Sequence, residues 1–121
     1  MAYQSFEDLE VWKRSCRQSV DTYRVLATCK NYSLRDQMER SSLSVPSNIA
    51  EGQERDSDGD FVRFLRIAKA SNGEFRTQLY IAAELGMIEK RKSREMISES
   101  KEISSMLHGL IRSIQSRQNQ S

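Results

Sequence analysis

The chain has 121 residues, 37% of them hydrophobic and 30% charged, with five glycines and one proline. That length suits one domain with a core of ordinary size, and the composition favours helices over a turn-rich β fold and excludes wholesale disorder. Nineteen basic against seventeen acidic residues leave a net charge of +2, so total charge neither demands nor forbids a nucleic-acid partner, and its distribution must decide.

Along the chain, four stretches carry helical period. From Phe6 to about residue 28, Leu9, Trp12, Cys16, Val20, Tyr23 and Ala27 recur at steps of three and four, with Ser5 placed to cap and Asp8 in the first turn. A second helix, about 34–53, is expected to start at a Ser33 cap and to bury Leu34, Met38, Ser41, Val45 and Ile49. Its interior holds Pro46, the chain's one proline, which removes a backbone hydrogen bond and crowds the carbonyl four residues earlier, at roughly 3 kcal/mol in an ordinary helix interior. Short side chains surround it at Ser41, Ser42, Ser44, Ser47, Asn48 and Ala50. A kink is cheap there, and a third helix offers its own small set, Ala70 to Gly73. Close packing of the two is expected, with Asn48 and Glu51 available to a buried polar network.

The third helix, about 58–85, has the clearest stripe: Phe61, Phe64, Ala68, Ser71, Phe75, Gln78, Ala82 and Leu85, stopped by Gly86. The fourth, about 92–116, carries Met96, Ile103, Leu107, Leu110 and Ile114 and is expected to fray into SRQNQS. Short connections make neighbours antiparallel, so the expected fold is all-α, a single-domain, up-down-up-down four-helix bundle. Val11, Val25, Leu43, Ile67 and Ile81 fall off these stripes. Together they imply a second buried surface and self-association.

No apolar run approaches the roughly 20 residues that cross a bilayer, and the opening MAYQSFEDLE lacks a leader's apolar core. A cytoplasmic protein without membrane contact is expected. Cys16 and Cys29, on one expected helix about 20 Å apart at 1.5 Å per residue, are too distant for a disulfide; Cys16 is placed in the core and Cys29 near a helix end. DSDGD at 56–60 has the alternating carboxylates of a calcium loop, but its sixth position is Phe61 and its twelfth Ile67. Ser57 or Asp58 capping the third helix is the simpler reading. His108 is the lone histidine, and no phosphate loop, dinucleotide fingerprint or nucleophile elbow is present. No metal, cofactor or catalytic residue is expected; the weaker enzymatic alternative would use a polar pocket at Asn48, Glu51 and Glu74.

Basic residues are arranged along helix flanks. Arg14, Arg17 and Arg24 share one flank of the first helix, and Arg94, Lys101 and Arg112 align with His108 on the fourth, after a Lys90, Arg91, Lys92 cluster. These six flank residues are the candidate phosphate contacts, and without interleaved aromatics such contacts would be backbone-led and weakly sequence-selective.

The stretch SVPSNIAEGQER (44–55), with LEVW at 9–12 before it and FVRFLRIAKASNGEF at 61–75 after it, resembles the four-helix-bundle family encoded in intervening sequences of bacterial large-subunit ribosomal RNA genes. Pro46, Asn48, Glu51, Gly52 and Arg55 carry the most specific part, and the resemblance spans nearly the whole chain. It implies an antiparallel bundle assembled as a homopentamer. The family is similar to the accessory variability protein of diversity-generating retroelements, a basic pentamer that binds nucleic acid and a reverse transcriptase. Where the family commonly has glycine in A-x-G-S-x-x-E-L, this chain has Ala70, and Phe75 replaces the leucine. The expected function is a non-enzymatic oligomer associated with RNA, DNA or nucleoprotein. The alternative is a protein-interaction module serving a polymerase or reverse transcriptase.

Overall fold

The computed structural model describes residues 5–120, and among them the chain forms a short 3-10 turn, Phe6–Asp8, and four α-helices without strands. These are α1 (Glu10–Val25), α2 (Tyr32–Gln53), α3 (Asp58–Glu84) and α4 (Lys90–Gln120). Ser5 caps the 3-10 turn through the Glu7 N–H, and α1 itself begins at Leu9 with no side-chain cap. The cap of α2 is Asn31, whose side chain accepts from the Leu34 N–H at 3.3 Å, in place of the expected Ser33. Ser57 caps α3 by accepting from the Asp60 N–H at 3.1 Å, and Asp58 and Asp60 lie in its first turn, favourably placed against the helix dipole. α3 ends at Gly86, whose φ of 74° suits glycine and lets the Met87 N–H donate back to the Ala82 carbonyl at 2.9 Å. Rather than fraying near residue 116, α4 continues to Gln120.

Side-chain pairs between helices fix an antiparallel register. Ser41 meets Gln78 and Ser44 meets Ser71 between α2 and α3, and Arg14 meets Glu99 and Asp21 meets Lys92 between α1 and α4, so residue numbers rise on one helix as they fall on its neighbour. The fold is an all-α four-helix bundle. Its interior has two apolar clusters, one around Val11, Ile49, Leu65, Ile103 and Ile114 and one around Leu26, Met38, Phe75, Leu79 and Met96. Between them lies a buried polar belt. Asn72, wholly buried, donates to the Ser100 carbonyl at 2.7 Å and accepts from the Gln18 amide at 3.2 Å and the Ser100 hydroxyl at 3.1 Å. Ser19 and Ser42 share a hydrogen bond of 3.2 Å, and Ser41 donates to Gln78 at 2.6 Å.

That belt explains a difference in α1. Its buried residues are Val11, Ser15, Gln18, Ser19 and Thr22, so the face turned inward is mostly polar. Val20 and Tyr23, expected in the core, are 48% and 43% exposed. The helix is rotated so that Gln18 meets Asn72 of α3 and Ser19 meets Ser42 of α2, while Ser15 and Thr22 donate to the Trp12 and Gln18 carbonyls of their own helix, because a buried polar group left without partners is costly.

Candidate functional site

The segment around Pro46 is built for close approach. Pro46 is buried inside α2, and Asn48 donates its amide to both the carbonyl and the hydroxyl of Ser44, at 2.8 and 2.9 Å. Ser44 in turn shares a 2.9 Å hydrogen bond with Ser71 of α3. Glu51 stands outside this network: it is exposed and pairs with Arg55 at 3.2 Å. Gly52 marks the tightest point, since a Cβ there would lie 2.6 Å from the Phe64 Cβ and 3.3 Å from the Phe61 carbonyl oxygen. Gly73, expected to allow a similar approach, faces open space, and Ala70 is exposed. The Arg55 guanidinium lies 4.8 Å from the Phe64 ring centre and that of Arg63 lies 4.6 Å from it, which covers the ring with cations. The motif therefore locks α2 onto α3 and presents no cluster of reactive groups.

Beside it, Cys16, Val20 and Tyr23 of α1 and Leu43 and Pro46 of α2 line an apolar groove of about 440 Å³. Leu43 is 49% exposed, as expected of a contact residue. Val11 is not: at 4% exposure it belongs to the protomer's own core, and Val25 is half-buried against the second cluster. The rotation of α1 that brings Val11 inward is the same one that puts Val20 and Tyr23 on the surface. Ile67 and Ile81 are exposed on α3, together with Tyr80 and Leu85. Burial raises the Cys16 thiol above its ordinary pKa, with Arg17 opposing the shift. Both cysteines are free, and Cys29 is half-buried beyond the end of α1.

The six expected cationic contacts divide sharply. Arg14 holds both carboxylate oxygens of Glu99, with Nε at 2.9 Å and Nη2 at 2.6 Å, which with the nearby acidic charges raises its pKa. Arg17 reaches Glu10 at 3.8 Å. Arg24, Arg94, Lys101 and Arg112 make no ion pair among the described residues. Lys101 sits in a depression of about 470 Å³ between α3 and α4, lined also by Lys69, Arg76, Ser104, Ser105 and His108. A continuation lined by Arg66, Lys69, Ala70, Arg76 and Ser104 extends it along α3. Arg76 donates to the Ser100 hydroxyl at 3.4 Å. Arg66, Lys69 and Arg76 recur at helical spacing on α3, a signal that the aromatic stripe of the same helix obscured.

The family model for the 23S rRNA-intervening sequence protein matches residues 7–109. The chain belongs to the 23S rRNA-intervening sequence protein family. A crystal structure of a protein of unknown function from the S23 ribosomal protein family of Bacteroides thetaiotaomicron superposes with a TM-score of 0.78 at 24% identity, covering 84% of this chain and 95% of that one. That likeness shows the shared fold. A search of curated proteins returns no match.

The portion shared with the 23S rRNA-intervening sequence protein family takes in Pro46, the apolar groove and the α3–α4 depression, and stops before Arg112. Among the described residues no three His, Cys, Asp or Glu side chains gather as metal ligands, and Ser57, Asp58 and Asp60 of the DSDGD segment serve the start of α3. No helix of the described residues is long and apolar enough to cross a membrane.

Proposed function

We propose that this member of the 23S rRNA-intervening sequence protein family is a non-catalytic, self-associating cytoplasmic scaffold that holds RNA, DNA or a nucleoprotein on its basic surface. The observation that carries the reading is the outward apolar stripe of α1, where Val20 and Tyr23 join Leu43 at 48%, 43% and 49% exposure around one groove. Exposed together, such residues mark an interaction surface. Ile67 and Ile81 provide a different patch on α3. Two unlike patches on one protomer favour head-to-tail contacts, which form a ring when the rotation between copies closes; a homopentamer, the assembly implied by the family resemblance, is one such ring. Support for the ligand comes from Arg24, Arg94, Lys101 and Arg112, which have no carboxylate partners among the described residues, whereas Arg14 and Arg17 are engaged by Glu99 and Glu10.

Light scattering coupled to size exclusion tests the assembly. The wild type should elute as a discrete oligomer, and Leu43→Asp or the Ile67→Lys, Ile81→Lys pair as a folded monomer. A wild-type monomer at micromolar concentration overturns the scaffold. Affinity for generic RNA should fall steeply with salt. A partner protein that stays bound after nuclease treatment, with no RNA or DNA affinity, would instead support the polymerase-accessory role.

A further inference from the structure

Eight ion pairs join Lys or Arg to Asp or Glu among the described residues, and none of them involves the α3–α4 groove. Arg66, Lys69 and Arg76 on α3 face Lys101 and His108 on α4, and no carboxylate lines either part of the depression. Like charges gathered in a concave site without counter-charges raise the local positive potential and attract mobile anions, which a polyanion displaces with a gain in entropy.

We propose that this groove is the phosphate-binding site of the protein and that it takes successive phosphodiesters of one nucleic-acid strand. The assignment rests on the nucleic-acid reading above and locates it. Length separates a strand from a single phosphate. Arg66 and Arg76 are ten residues apart on one helix, about 15 Å at 1.5 Å rise per residue, more than one phosphate can span. The floor suits the same ligand. Ser104 and Ser105 supply short hydroxyl donors, and Ala70 keeps the continuation shallow and unobstructed. Arginine adds a planar fork and lysine a mobile point charge, both matched to phosphate oxygens. No Phe, Tyr or Trp lines the groove, so it lacks a run of rings on which successive bases could stack, and recognition is led by the backbone. Its walls are held in place by the buried Asn72, which ties α3 to the Ser100 carbonyl of α4.

The test is fluorescence anisotropy of a short single-stranded RNA, and of DNA of the same sequence, against salt concentration. Four groove cations predict a slope of log affinity against log salt of roughly −3 for a single strand. Arg66→Gln with Lys101→Gln, both on exposed residues, should weaken binding about ten-fold or more at low salt and reduce the slope by roughly 1.4. Ser104→Glu, which places a carboxylate on the floor, should weaken binding with circular dichroism unchanged. Loss with both probes assigns a backbone site common to RNA and DNA; loss with one names that nucleic acid as the ligand. If the wild type binds and both groove variants bind equally well with the same slope, the groove assignment falls while nucleic-acid binding stands. If the wild type binds neither probe, both fall.

Discussion

Gly52 and Asn72 show how much of the bundle depends on single side chains. Adding one methyl at Gly52 sets a Cβ 2.6 Å from that of Phe64, a backbone-anchored atom that cannot swing aside. Gly52→Ala gains up to about 1 kcal/mol in helix propensity but incurs roughly 1–3 kcal/mol of overpacking, so a net loss of stability is expected. A lower urea midpoint with unchanged m-value checks it. Asn72→Ala should cost more. It leaves the Gln18 amide without its partner, a buried group unpaired at about 1–3 kcal/mol, and removes both bonds to Ser100, whose hydroxyl keeps only the 3.4 Å contact from Arg76. The expected loss reads directly from thermal unfolding, and a change under 1 kcal/mol would mean that the belt re-pairs without Asn72. Of these residues the motif containing Gly52 was legible in the sequence, but the reason for its glycine was not. The obstructing side chain belongs to α3, and no local pattern in α2 points to it.

At the scale of the helix, period and phase separate. Steps of three and four announced α1, α2, α3 and α4, and on α2 and α4 the expected stripes are largely the buried ones, as at Met38, Val45, Ile49, Ile103 and Ile114. On α1 the same rule held at Leu9 and Trp12, which pack against the first cluster, and failed at Val20 and Tyr23. An apolar stripe marks a face that avoids water without saying whether the protomer or another copy covers it, and the inward face was hidden because Ser15, Gln18, Ser19 and Thr22 look like surface residues. The basic groove escaped notice for a related reason. Lys101 was visible on α4, but Arg66, Lys69 and Arg76 acquire meaning only when α3 is laid beside it. The inverted phase has a measurable consequence. Val20→Gln should alter protomer stability by no more than about 0.5 kcal/mol, since an exposed position tolerates a polar residue, whereas a core valine would cost several times that. Chemical unfolding of the dissociated Leu43→Asp background, with and without the substitution, gives the value free of assembly effects.

Across the whole molecule, the groove on α1 and α2 makes Cys16 a reporter of assembly. Its thiol lies among Val20, Leu43 and Pro46, so a second copy seated there covers it. Burial raises its pKa, with Arg17 lowering it in part, and only the thiolate attacks an alkylating reagent. In the folded protein the rate should therefore rise with pH later than for the unfolded chain. The sign carries over to stability: the native state keeps this proton at a pH where the unfolded state has released it, so the contribution is present below the unfolded thiol's pKa and is lost as pH rises through the folded value. Assembly adds a concentration dependence that titration cannot imitate. In a Cys29→Ser background, iodoacetamide should label Cys16 more slowly as protein concentration rises, and Leu43→Asp should abolish that protection while leaving the pH profile of the protomer in place. A Cys16 rate that is constant across concentration in a protein that still sediments as an oligomer would move the subunit contact away from this groove and onto the Ile67 and Ile81 face alone.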